Sequence, residues 1–357
     1  MTSASGPDAD GDGRSAADAA GVVVLGACAG WSLITAAAHD GRPEGVLLAV
    51  LAVAAGYAAG RIGGAVAPAG APVAAALAGI ALTLTVPHLA PGPQIGAPLG
   101  HAGATAAVLT LSAGAACCAA WGASAPALRF ALRLLAAGTA VLAALLGSPT
   151  GCVTCTAVLL CSLAAGRTPH RGTALAVLAS VVALVTGLTW SIAARAVPSG
   201  SGSAVEERLT PHRVDLWQDA WRLLAEEPAL GAGPGRFGEL SATSAHALLS
   251  DGKPHSAALQ QAAEQGIVGV VLLAAAFGWV LYALWRGPRP TPVALTAGAA
   301  LTALALIAAV GNALSFTAVS VGAGLLAGMA TARPLPAGPA SRAPEESRSR
   351  NAGHAPA

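Results

Sequence analysis

DGKPHSAALQQAAEQGIVGVVLLAAAFGWVLYAL, residues 251–284, changes character halfway along. Asp251 and Gly252 read as a turn, and Pro254 suits the first turn of a helix, with His255 where that helix begins. Gln260, Gln261, Glu264 and Gln265 then fall on one arc of ~140° at 100° per residue, with His255 projecting roughly opposite the middle of that arc. From Gly266 to Trp285 the chain carries no charge. About 20 apolar residues are what a helix needs to cross a bilayer. The polar arc therefore belongs at the mouth of a membrane span, facing a wet cavity or other loop segments, with His255 at the rim. Gly266 and Gly269 permit close helix contact as the chain enters lipid.

The rest of the chain extends the apolar half of this stretch. Of 357 residues 55% are hydrophobic and 10% charged, with mean hydropathy +0.65; a soluble domain carries roughly 25% charged residues. So few charges cannot coat a soluble protein of this length. The fold class expected is an all-α polytopic transmembrane bundle of about ten spans with one long extracytoplasmic loop. Candidate spans lie near 21–38, 45–60, 71–90, 101–122, 130–147, 151–166 and 173–195, then 266–285, 292–310 and 313–331. As domains, 1–20 and 332–357 read as disordered cytoplasmic ends, 21–195 as spans one to seven, 196–256 as the loop, and 257–331 as the last three spans. The abundance of Ala and Gly suits close packing in lipid, although codon preference accounts for the larger share of it. No basic stripe is interleaved with aromatics, so no nucleic acid is expected. The six cysteines sit in apolar stretches and read as buried thiols; Cys152 and Cys155 form a lone CxxC with no second pair to complete a zinc site.

Arginine sets the orientation. With ten spans, Arg14, Arg61, Arg129, Arg167, Arg171, Arg286, Arg289 and Arg333 all fall on one side, and the opposite short loops carry only Arg42. The positive-inside rule then places both termini in the cytoplasm and the long loop outside.

That loop opens with a flexible PSGSGS (198–203). Thr210 is a plausible N-cap, Pro211 suits the first helical position, and Val214, Trp217, Trp221 and Leu224 recur as one apolar stripe ending at Pro228. Such a helix either lies on the outer leaflet or packs on the spans. PALGAGPGRFGEL (228–240) is a poor nucleotide loop, since no strand precedes it. It reads as a system of tight turns whose backbone can approach something closely, including an anion. On position alone His255 is an interfacial histidine hydrogen-bonded to a neighbour; a side chain with pKa near 6.5 can equally serve as a base.

The order of these pieces carries a resemblance. RVDLWQDAWRLLAEEPALGAGPGRF (213–237) has an Arg, a Trp four residues on, then Pro and Gly-x-Gly-x-x-x-Phe. PHSAALQQAAEQGIVGV (254–270) has a His followed by Glu-x-Gly-x-x-Gly. Together with GNALSF (311–316) they resemble the O-antigen ligase and polymerase family across about 205–320. The resemblance implies a GT-C-like architecture and an inverting, metal-independent transferase without cofactor. Its partners would be a polyprenyl-diphosphate-linked glycan, a glycan or lipid-anchored acceptor, and membrane lipids. Position by position, Arg213 takes the place of the loop Arg and His255 that of the catalytic His. Arg236, Trp217 and Glu264 are candidate substrate-binding residues. A guanidinium can pair with the departing diphosphate and an imidazole can take the acceptor's proton. The chain departs from the family pattern at Ser256, where Asn is usual, and at Pro149 in LLGSPTG (145–151), where an Arg would fall. Arg133 lies near the cytoplasmic end, where it would snorkel rather than replace that Arg. A polytopic transporter and a non-catalytic envelope-polysaccharide assembly protein are the competing readings.

Overall fold

The computed structural model describes residues 7–85, 98–194, 211–246 and 252–335. Their regular structure is helical, without strands. Ten apolar helices form the bundle: α1 (Pro7–His39), α2 (Glu44–Val66), α3 (Gly70–Thr85), α4 (Pro98–Gly122), α5 (Pro126–Leu145), α6 (Pro149–Ala165) and α7 (Arg171–Ala193), then α11 (Ala257–Arg286), α12 (Thr291–Ala309) and α13 (Thr317–Thr331). Between α7 and α11 come α8 (Pro211–Glu226) and two short helices, α9 (Phe237–Leu240) and α10 (Ala242–His246). Seven of the ten are long and apolar enough to cross a membrane, while α3, α6 and α13 are shorter. Helix α1 starts at Pro7, well before the expected 21, and Ala17 is buried. The N-terminal segment 7–20 therefore continues the first helix instead of forming a separate tail. Residues 1–6, PSGSGS, Thr210, Asp251 and 336–357 lie outside the described residues.

The bundle has a centre and a rim. In α4 89% of the apolar window is buried and in α12 83%, against 22% for α1 and 17% for α2 and α7. Val22, Leu51 and Leu184 stay exposed on the rim, which costs nothing against hydrocarbon as apolar as leucine. Because there is no hydrophobic gain between helices in lipid, small residues and polar contacts set the packing. Gly56 and Gly60 of α2 and Gly324 and Gly328 of α13 face each other so closely that a Cβ on any of them would run into the partner's carbonyl. These four glycines serve a helix interface. Ser162 on α6 ties the centre together, receiving the indole N–H of Trp121 (3.0 Å) and lying 3.0 Å from the Thr296 hydroxyl.

Arginines close one end of the bundle. Arg171 donates to the carbonyls of Leu284, Gly287 and Arg289, Arg289 to that of Gly64 (2.7 Å), and Arg129 to that of Ala123 (2.7 Å). Leu284 and Gly64 belong to the last turns of α11 and α2, and Gly287 and Ala123 directly follow α11 and α4, places where carbonyls lack helical partners and the helix dipole favours a cation. Arg133 lays its guanidinium 5.5 Å from the Trp121 ring. The other end carries the α1–α2 turn, helices α8–α10 and the start of α11.

Helix α8 packs on the spans. Leu216, Trp217, Ala220 and Leu223 form a second core with Ile192 and Ala193 of α7, Phe237 of α9, and Leu259 and Ala263 of α11. Trp221 meets Trp190 of α7 edge-on, centroids 5.8 Å apart. The stripe that could have lain on lipid is thus spent on protein.

Candidate functional site

A cavity of about 570 Å³ opens between α1, α2, α11, α12 and α13. Its lining runs along α11 from Ala257 to Val280, some 34 Å at 1.5 Å per residue. Most of the wall is apolar, from residues such as Leu25, Val53, Leu272 and Phe277. The deep end closes on Tyr57 and Trp279, whose rings stand 5.1 Å apart. The opposite end is polar, and all four members of the expected arc, Gln260, Gln261, Glu264 and Gln265, are there. Arg42, Glu44, Lys253 and Asn312 complete this mouth. An apolar channel with a mixed polar mouth fits an amphiphile better than a free sugar.

The arc faces the cavity because α11 breaks just after it. Gly266 has φ 67° and ψ −166°, which only glycine adopts readily. The backbone groups freed there find partners: Ile267 N–H donates to Pro228 O (2.9 Å) and Gln265 O accepts from the Trp31 indole (3.0 Å). The membrane span proper is then Ile267–Arg286, about 30 Å long, and residues 257–265 form a separate helical segment ahead of it. That segment starts at Ala257 with Ser256 in the cap position, so Pro254 and His255 stand outside the helix that the sequence expected them to begin.

Residues 228–237 form a strap across the mouth. Ala232 N–H donates to Ala263 O (2.8 Å) and Gly233 N–H to Glu264 O (3.0 Å). On the far side Arg42 N–H donates to Pro234 O (2.7 Å), and Arg236 Nη1 donates to His39 O, the end of α1 (2.7 Å). Gly231, Gly233 and Gly235 all have positive φ, so the turn system is real; the Gly231 amide goes to Glu227 O and those of Ala232 and Gly233 to carbonyls of α11. Arg42 also pairs with Glu239 of α9, both half or more exposed. Such a pair is worth about 0.2–1 kcal/mol.

Of the expected site residues, Glu264 is the one that lines the cavity. It is 4% exposed. Burial pushes its carboxyl up to about 7, against hydrogen bonds from the Gly235 and Phe237 amides and from Gln260 and the charge of Lys253, all of which pull it down. His255 is half-buried between two lining residues, Lys253 and Ala257. Its φ of 52° puts a non-glycine residue in left-handed backbone, strain of a kind that clusters at functional sites. Arg213, at the start of α8, donates from Nη1 to Val310 O (3.0 Å), the carbonyl that ends α12 two residues before Asn312. Burial lowers its pKa, and a guanidinium remains charged regardless. Among the described residues one of its five N–H donors is engaged, and no nitrogen of Arg213 is sealed without a partner. No described carboxylate lies within ion-pair distance of it.

Two of the expected residues lie away from the cavity. Trp217 is 0% exposed and sits in the core beneath α8, so it cannot meet a substrate. Arg236 holds the end of α1 and lies 4.0 Å from Glu239; it is not among the residues lining the cavity, and its part is to fasten the strap. Sequence reasoning missed Arg42 and Lys253, the two cations at the mouth. Arg42 did stand out as the lone arginine against the positive-inside pattern. Pro149, where the family pattern has Arg, opens α6 behind Ser148, whose Oγ accepts from Gly151 N–H (3.2 Å). Among the described residues no cluster of His, Cys, Asp or Glu could hold a metal ion.

Residues 134–274 match the family model described as O-antigen ligase, a stretch that runs from α5 to the middle of α11 and contains Arg213, the strap, His255 and Glu264. No curated protein matches the chain.

Proposed function

We propose, from the match of residues 134–274 to the O-antigen ligase family model, that this chain is a membrane glycan-assembly protein that transfers a glycan from a polyprenyl-diphosphate carrier to a lipid-linked or glycan acceptor. The observation that carries the reading is the shape of one site. A channel apolar for most of its length ends in a polar mouth; in support, Arg213 bonds Val310 O two residues before the lining Asn312, and His255 falls in the chain between the lining Lys253 and Ala257. The channel suits the hydrocarbon of the carrier, and the mouth its head group and first sugars. The mouth faces the outer side of the cytoplasmic membrane in this reading, because the helix-closing arginines gather at the opposite end.

The chemistry divides between two residues. An acceptor hydroxyl attacks the anomeric carbon from the face opposite the diphosphate, the bond from that carbon to the diphosphate oxygen breaks, and the configuration inverts. His255 takes the proton of the hydroxyl, a contribution of typically 10²–10⁴-fold. Arg213 receives the negative charge on the leaving polyprenyl diphosphate with the donors it does not spend on Val310. No metal enters these steps.

His255→Ala tests this. The protein should accumulate at its normal level while transfer falls at least 10²-fold and the lipid-linked glycan builds up; full activity would remove His255 from the mechanism. Pro149 in place of an arginine favours a second reading, an assembly protein that binds the lipid-linked glycan without turnover. Binding of that glycan by the purified wild type, with no product, would decide for it.

A further inference from the structure

We propose that Glu264 is a positioning residue, which fastens the strap of residues 228–237 over the cavity and so sets the form in which the mouth receives its substrate. The inference rests on the glycan-transfer reading for its effect on turnover, but not for its effect on the strap. The geometry is lopsided in a telling way. Of the polar residues in the arc, Glu264 is the one joined to the strap through both its main chain and its side chain. Its carbonyl takes the Gly233 amide and its carboxylate takes the amides of Gly235 and Phe237, with Gln260 as a further donor. A carboxylate accepts about four hydrogen bonds and donates none, which is what a loop presenting several amides in succession requires. An exposed glutamate would be hydrated and mobile; this one is 4% exposed and its oxygens are spent inside the protein.

The strap passes this constraint on. Arg236 on the strap holds His39 O, and α9 beyond it carries Glu239, the partner of Arg42. Of the charged groups around Glu264, Lys253 ahead of its own helix acts on its carboxyl, and Arg42 and Glu44 line the same cavity. Without the Glu264 carboxylate, the strap would keep the main-chain links of Ala232, Gly233 and Pro234 but lose those of Gly235 and Phe237. A residue used this way shapes the site without touching the reacting atoms.

The test compares E264A and E264Q with the wild type, each as the full chain in lipid nanodiscs. Hydrogen exchange is followed over residues 228–240 and over α4 and α12, alongside KM and kcat for a polyprenyl-diphosphate glycan. In E264A the amides of Gly235 and Phe237 should exchange about tenfold faster or more, a local opening on the scale of one or two hydrogen bonds, with α4 and α12 unchanged. KM should rise about tenfold with a smaller change in kcat. Glutamine keeps one acceptor oxygen, so E264Q should recover a substantial part of both effects. Wild-type protection of the strap in E264A overturns the proposal. So does loss of kcat alone in both variants, which would make the carboxylate a chemical participant. If E264A fails to fold, E264Q decides: faster strap exchange supports the fastener and unchanged exchange rejects it. A wild type that transfers no glycan would defeat the functional reading and leave the exchange result standing.

Discussion

The two ends of the bundle use the same residue type for different ends. At one, Arg171 and Arg289 are committed to helix-terminal carbonyls, and the Nε of each is buried without a partner. At the other, Arg213 also meets a helix-terminal carbonyl but keeps donors open to solvent, and Arg42 lines the cavity while paired with an exposed glutamate. The difference teaches that an arginine at a helix end is no site by itself. What marks a site is the donor capacity left once the helix is satisfied, beside a space a ligand can enter.

Breaking the outer end at its core should have the largest effect. Trp217→Ala removes the largest side chain of the second core and should cost about 3–5 kcal/mol, seen as loss of protease resistance in residues 211–246 before the spans unfold. Survival of that unit would mean that α8 is held mainly by the strap. The comparison itself is sharpened by a matched pair. Arg213→Met should cut transfer by about 10²–10³-fold, as for removal of an oxyanion donor, with little change in thermal midpoint. Arg289→Met should lower the midpoint, losing on the order of 1–3 kcal/mol, while activity per folded molecule is kept. Equal destabilisation by both would reduce Arg213 to a cap.

The smallest effect is a pH dependence at the mouth. Burial raises the Glu264 carboxyl from its ordinary 4.5 to about 7. The folded state therefore binds the proton more tightly than the unfolded one, so this contribution is complete below pH 4.5 and is lost as pH rises towards 7. Its size is at most about 3 kcal/mol. Thermal unfolding in detergent should show the wild-type midpoint falling from pH 5 to 7 relative to that of E264Q. Parallel curves would mean that the carboxyl is hydrated.

Much of the fold was legible because lipid makes few demands on a chain. Apolar length and the side preference of arginine sufficed to place ten helices, and α11–α13 sit where the hydropathy put them. The polar arc was legible too, since a helix sends Gln260, Gln261, Glu264 and Gln265 to one side whatever surrounds it. The start of α11 was misread because Pro254 and Ser256 both suit a helix start, and only the left-handed His255 between them moves the boundary to Ala257. Arg236 and Trp217 carried motif positions without their surroundings; a side chain's type does not say whether it will be enclosed.

The sequence by itself determined that this is a membrane bundle with its polar and charged residues gathered in one loop and the first turns of α11, because period and composition act over neighbouring residues. Only the tertiary structure decided which polar groups remain available. Arg42, Pro234 and Glu264 lie far apart in the chain, and whether a donor is spent on a carbonyl or left facing a cavity depends on what packing brings beside it.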